Sequence, residues 1–389
     1  MALRCVFDIL VPIFLFLCIV IVVNGALPSK TFNVVKYGAI ADGNTDNAQA
    51  WKDACKYGGK SRIWVPKGTF LLGSVSFEGS CNGSMAFLIK GTLKAPTDSR
   101  NLFIDTWIGF RYLSDLTVKG GGVLDGQGHA AWPYNDCQTN SQCKPLPATL
   151  RFDFIRNSRV YNLRSINSKS THFNIFACQN IDISQLRMSA PANSPNTDGI
   201  HIGSSTQIKI SHARISTGDD CISMVSGSQN IDIYDVTCGP GHGISVGSLG
   251  RSHEHEYVKG ISVRNCSFIG SDNGVRIKTW APSSYSEASD IIFQDIVMQN
   301  PRNPIVIDQQ YCPSPHCYQQ IKDVTFKNIW GISSTKVAVN LQCSGALPCK
   351  NVKLINIDLA YNGPGGRATS MCSHVIGSSH GKLVPDGCV

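Results

Sequence analysis

Short apolar alternations recur along most of this chain, and that repetition limits what it can fold into. The units are Val160-Tyr161-Asn162-Leu163, Ile181-Asp182-Ile183, Ile208-Lys209-Ile210, Ile231-Asp232-Ile233, Ile261-Ser262-Val263, Ile291-Ile292-Phe293, Val324-Thr325-Phe326 and Val352-Lys353-Leu354. Their first residues lie 21, 27, 23, 30, 30, 33 and 28 positions apart, and Leu116-Thr117-Val118 reads as an earlier member. Period-2 alternation marks strands with one buried face. The Asn, Ser, Gly and Asp between them mark turns. Strands this short bury no core alone. Stacked in parallel about 4.8 Å apart, they bury a continuous apolar column. The long crossover helices that a doubly wound sheet needs are missing between the units. A propeller would need four strands per blade at a longer, steadier period. The expected fold is therefore all-β, a right-handed single-stranded parallel β-helix.

Solenoid ends need covers. Thr45 followed by Asp46 to Cys55 predicts a short N-terminal capping helix, with Ala, Trp and Cys on one side. The Gly- and Cys-rich tail from Gly363 to Val389 is expected to cover the other end. No linker interrupts residues 26–389, so one domain is expected there. Apolar residues make up 42% of the chain and charged residues 16%, which excludes disorder.

Residues 1–25 read as a secretion signal. Arg4 precedes an apolar run from Ile9 to Val23, and Val23 and Gly25 are small residues suited to cleavage. The run is short for a membrane anchor, and no later segment is apolar enough to span, so no stable membrane association is expected. Cys5 and Cys18 leave with the signal, and fourteen of the sixteen cysteines remain. In an exported chain disulfides are the natural expectation, with Cys312/Cys317, Cys343/Cys349 and Cys372/Cys388 as close pairs. No CxxC pair points to zinc. Asn82 and Asn265 begin glycosylation acceptors, the second inside a predicted strand. The net charge of +8 suits a polyanionic partner outside the cell and, equally, simple solubility. Nucleic acid does not fit that compartment.

Asp198, Asp220 and His242 are separated by 22 residues each, and Asp219 adjoins Asp220. One turn of a solenoid per interval stacks them on one face. Glycosidic hydrolysis divides an acid and a base between carboxyl groups, and clustered carboxylates raise one another's proton affinity. Gly218 lets the chain bend so that both Asp219 and Asp220 reach the surface. Gly241 and Gly243 leave His242 accessible. Arg276 and Lys278 share a strand face and suit a clamp on a substrate carboxylate. Tyr311, about one turn further, can stack on or bond a sugar. Taken singly, each motif also has an ordinary reading as a turn, a strand edge or a packed aromatic. Their spacing is what joins them into a set suited to an acidic sugar polymer.

These residues carry a resemblance. Ser194-Pro195-Asn196-Thr197-Asp198-Gly199-Ile200, Thr217-Gly218-Asp219-Asp220-Cys221-Ile222, Gly239 to Ser248 and Arg276-Ile277-Lys278-Thr279-Trp280 resemble, in order, plant polygalacturonases of glycoside hydrolase family 28. The likeness runs from about Phe32 to the C-terminus. It implies a pectin-lyase-like solenoid that hydrolyses α-1,4 links between galacturonic acid units of pectin with inversion. It implies Asp219 as general acid and Asp198 and Asp220 as activators of water. It places His242 beside the acid, Arg276 and Lys278 on the substrate carboxylate and Tyr311 in the binding subsite, and it implies no metal or other cofactor. Leu88–Pro96, Leu150–Phe154 and Met371–His374 look most like pollen-type exo-acting enzymes. Endo action is the alternative, and behind it a calcium-dependent lyase or a noncatalytic wall-binding protein. His253-Glu254-His255-Glu256 departs from the family pattern and is expected to be an exposed turn. A secreted monomer of the plant cell wall is the corresponding expectation.

Overall fold

A computed structural model of the chain describes residues 29–389 apart from 52–59, 80–83, 99–104, 136–139, 141, 251–254, 281–285 and 310–318. The signal segment, Asn82, Tyr311, Cys312, Cys317 and the His253-Glu254 pair lie outside the described residues. The described strands form an 18-stranded and an 11-stranded sheet, and every recorded pairing between them is parallel. Rungs in the middle of the larger sheet keep register: Ile181 pairs with Ile208, Ile208 with Ile231 and Ile231 with Ile261. A parallel stack wound through successive turns in this way is a right-handed parallel β-helix.

Inward residues from both sheets make one apolar column, in which Ile183, Ile210, Ile233 and Val263 are fully buried. Aromatics stack in the same way near the N-terminal end, where the Phe77, Phe110 and Phe152 rings lie 5.5 and 5.4 Å apart at small interplanar angles. Burying each such side chain contributes about 1.5–3 kcal/mol. No helix among the described residues is long and apolar enough to cross a membrane.

The strands of the larger sheet exceed the repeat units read from sequence. Gln179–Ser189, Thr206–Ser216 and Ser228–Cys238 each run for 11 residues. Each has positive φ at a residue near its start, Asn180, Gln207 and Asn230, and again at a mid-strand corner, Gln185, His212 and Asp235. The period-2 signal breaks at these corners, which hides the second halves, such as Leu186-Arg187-Met188. Further along, Asn328 donates to Asp295 and Asn356 to Asn328, at 2.8 and 3.1 Å, so the corner also forms a polar ladder. Asn and Asp tolerate this backbone region best among non-glycine residues.

The two ends are built differently. A 3-10 helix covers Ala48–Trp51 within the span expected for the capping helix, and the rest of that span, up to Cys55, lies outside the described residues. Thr45 closes a strand segment with Asp42, while the Asp46 carboxylate accepts from Ala48 and Gly73 N–H groups. The bond to Ala48 is of the N-cap type and starts the helical turn, while the bond to Gly73 ties it to the next rung. The C-terminal tail continues the solenoid as another rung: Val375–Val384 pairs with Cys349–Tyr361. Cys372–Cys388 and Cys343–Cys349 are bonded as the close spacings suggested. Cys221–Cys238 is bonded as well, whereas Cys178 and Cys266 are buried free thiols packed as small apolar side chains. Asn265 sits on an exposed bend between strands rather than inside one. Glu256 is buried, not exposed, and accepts the Gly250 N–H at 2.7 Å.

Candidate active site

Four short strands of the 11-stranded sheet hold the site: Ile200–Gly203, Ile222–Met224, Ile244–Leu249 and Asn273–Thr279. Ile200 pairs with Ile222, Ile222 with Ile244 and Ile244 with Val275. Asp198, Asp220 and His242 each stand two residues before these partners, so the 22-residue spacing is one rung. Gly218 is required here, because a Cβ would meet the Ser194 carbonyl oxygen at 2.1 Å. Gly243 has φ +84, and its Cβ would meet the Asn273 and Gly274 carbonyl oxygens at 2.3 Å. These close approaches seat the turns against neighbouring rungs.

Asp219 and Asp220 do not share an environment. Asp220 is buried, contrary to the expectation that both reach the surface. Its Oδ1 accepts from Ser245 Oγ at 2.8 Å and Arg276 Nη2 at 2.8 Å, and its Oδ2 accepts from Lys278 Nζ at 2.9 Å. Two cations and a hydroxyl thus offset its desolvation. Arg276 and Lys278 hold Asp220 first and are not simply open clamps. Arg276 also donates from Nε to Ser245 Oγ at 3.1 Å. These bonds use two of its five N–H donors, which leaves others for a ligand.

Asp219 is partly open and pairs with His242, whose Nδ1 lies 3.0 Å from Asp219 Oδ1. Burial alone would raise the Asp219 pKa. The hydrogen bond and charge of His242, with the Asp220 N–H and Lys278, outweigh it and hold the carboxyl below its ordinary range. The same bond raises the His242 pKa. Asp272 approaches the other ring nitrogen at 3.6 Å. Asp198 moves the opposite way. Burial pushes its pKa up, and the charges of Asp219 and Asp220 add to this against the opposing influence of His201, whose Nδ1 lies 3.6 Å away.

His201, Ser223 and Ser245 complete the set, and sequence reasoning missed them. Ser223 Oγ donates to Asp198 Oδ2 at 2.9 Å and contacts His201 Nδ1 at 2.7 Å. All three lie in one register row that continues to Arg276. They repeat the 22-residue interval three positions after Asp198, Asp220 and His242, which is the signal that finds them. Cys221–Cys238 joins the segment after Asp220 to the segment before His242. Asp219, Asp220 and His242 bring ligand-type atoms within 4.8 Å of one another. The Asp220 oxygens already face Arg276 and Lys278, and two cations there oppose a third.

A parallel β-helix with three carboxylates, a histidine and two cations on one wall has the make-up of a polysaccharide-cleaving enzyme. The chain belongs to the glycosyl hydrolases family 28, whose match covers residues 55–381. It is 46% identical over 365 residues to an exopolygalacturonase of Platanus acerifolia, covering 92% of this chain and 97% of that one. An exopolygalacturonase of Oenothera organensis is 47% identical over 346 residues, covering 87% and 96%. Among solved structures, the endo-xylogalacturonan hydrolase of Aspergillus tubingensis superposes with a TM-score of 0.77 at 25% identity, covering 91% of this chain and all of that one.

Proposed function

We propose that this chain is an exo-acting polygalacturonase that hydrolyses α-1,4 links of polygalacturonate with inversion. The observation that carries the reading is the convergence of Asp198, Asp219 and Asp220 beside Arg276 and Lys278 on one wall. Three carboxylates facing a polyanion repel it unless they do chemistry. The exo preference follows the relatives that carry that name.

The glycosidic oxygen takes a proton from the Asp219–His242 pair, with Asp219 delivering it and His242 replacing it. Water attacks the anomeric carbon from the opposite face as the bond to the leaving sugar breaks, and its proton passes to a carboxylate. Asp198, with its raised proton affinity, is the base suited to accept it. Asp220 holds the water, and the remaining Arg276 donors grip the sugar carboxylate.

A second assignment has one observation in its favour: Asp198, not Asp219, has the raised pKa, as an acid does. An aryl galacturonide with a good leaving group decides between them. Loss of the acid is rescued by such a substrate, and loss of the base is not. Asp219→Asn should be rescued and Asp198→Asn should not; the reverse pattern exchanges their roles. The overall reading is tested with purified protein and polygalacturonate. Galacturonate monomer from the earliest times is expected. Mixed oligomers reassign the enzyme as endo-acting, and no new reducing ends at any mildly acidic pH reject hydrolysis. Secretion to the cell wall after loss of residues 1–25 belongs to the same proposal. N-terminal sequencing of the exported protein checks it, and gel filtration checks the monomer.

A further inference from the structure

The outer face of the 18-stranded wall carries two rows of charge. In one, Arg159, Asp182, Lys209 and Asp232 are register partners, so the sign alternates from rung to rung. The other lies beyond the corner. There Arg164 pairs with Arg187, and Arg187 with Arg214. All three are exposed. Among the described residues no carboxylate lies within ion-pair reach of them, although this wall does form such pairs at Arg264–Asp232 and His212–Asp235. Like charges directly opposite on neighbouring strands destabilise a sheet, and these stand about 4.8 Å apart. The row therefore lowers stability unless an anion lies along it.

Arg187 and Arg214 line a groove of about 680 Å³. Leu186 contributes to its floor, and the exposed corner residues Asn162, Gln185 and His212 line it as well. The one carboxylate among its lining residues, Asp235, is held by His212 Nδ1 at 2.5 Å. The lining comes from four successive rungs, so the groove follows the solenoid axis. Its residues belong to the sheet that does not carry the catalytic strands.

A ligand matched to this surface is linear, carries one negative charge per repeat at a spacing of the order of a rung, and offers hydroxyls to an amide row. We propose that the groove is a second binding site for an acidic polysaccharide. Arg164, Arg187 and Arg214 grip its carboxylates, and Asn162 and Gln185 bond its hydroxyls. The identity of the polymer rests on the polygalacturonate reading above. Such a site tethers the enzyme to the polymer and raises the local concentration of chain ends at the catalytic wall.

The test is the double variant Arg187→Gln/Arg214→Gln, measured in two ways. Turnover of a galacturonate trisaccharide, too short to bridge two walls, should match the parent. Affinity electrophoresis through polygalacturonate, run in an Asp219→Asn background so that the polymer stays intact, should show roughly threefold to tenfold weaker binding for two exposed charge contacts. The parent's retention should also fall as salt passes about 0.15 M. If the double variant melts below the parent, Arg187→Lys/Arg214→Lys carries the test and should keep most of the binding. Unchanged retention in the Gln variant overturns the proposal. So does an equal loss of trisaccharide turnover, or parent binding to anionic phospholipid vesicles that matches binding to polygalacturonate. A parent inactive on the trisaccharide sinks the enzymatic reading alone, because the retention comparison still reads the groove.

Discussion

The two walls of the solenoid share one rung spacing but carry different outer faces. On the 11-stranded wall the site strands are three to seven residues long and follow glycine-bearing turns. Their outward groups are packed and bonded across rungs, as Asp220 is to Ser245, Arg276 and Lys278. On the 18-stranded wall the strands run through left-handed corners, and the cross-rung pairs of its outward residues, such as His212–Asp235 and Arg264–Asp232, are open to solvent. Both walls contribute the same kind of aliphatic side chain to the core. The core is therefore indifferent to what the outer faces carry. Chemistry can be written on one wall, provided its buried charges are paired, and the other wall stays free for looser contacts.

Substitutions on the two walls should separate by size. Asp219→Asn is expected to lower kcat by on the order of 10² to 10⁴ while leaving the fold intact, as steady-state kinetics with circular dichroism will show. An unfolded variant would mean that the carboxylate is structural. Lys278→Ala removes one of the two cations on buried Asp220 and should cost about 3–5 kcal/mol in a denaturant titration. Opening Cys221–Cys238 with a double Cys→Ser change should cost about 2–5 kcal/mol. It should also depress turnover, because the bond links the Asp220 and His242 segments. On the other wall, Lys209→Ala, exposed in the alternating row, should change stability by less than about 0.5 kcal/mol. A large loss there would erase the contrast between the walls.

The smallest effect is one of pH. His242 has its pKa raised, so its stabilising contribution is complete below its ordinary 6.5 and fades as pH rises through the folded value. Asp219 has its pKa lowered, so its contribution is complete above the ordinary 3.8 and is lost as pH falls through the folded value. The difference in melting temperature between the parent and His242→Gln should be greatest near pH 5 and shrink toward both extremes. A difference that stays flat with pH would show that the two groups do not form an ion pair.

The sequence carried the solenoid openly, because stacking imposes a repeat on inward residues such as Ile181, Ile208 and Ile231. It carried the stacking of Asp198, Asp220 and His242 on successive rungs as well, through their spacing. The burial of Asp220 was not legible. Which of two adjacent carboxylates turns inward depends on turn geometry and on cations 56 and 58 residues away. His201, Ser223 and Ser245 had the right interval but ordinary chemistry for a strand. The Cys221–Cys238 pairing leaves no trace in spacing, and two buried thiols made parity a poor guide to bonding. At the N-terminal end Asp46 and Asn47 also bond across rungs to Gly73 and Leu71, long-range contacts that the local helix-start pattern does not reveal.

Proton NMR of the sugar released from a galacturonate oligomer, recorded faster than mutarotation, asks whether the stacked carboxylates act together in a single displacement. Galacturonic acid appearing first as the β-anomer is the predicted result. The α-anomer appearing first would require a covalent intermediate and would contradict an arrangement in which the aspartates divide only a proton and a water between them.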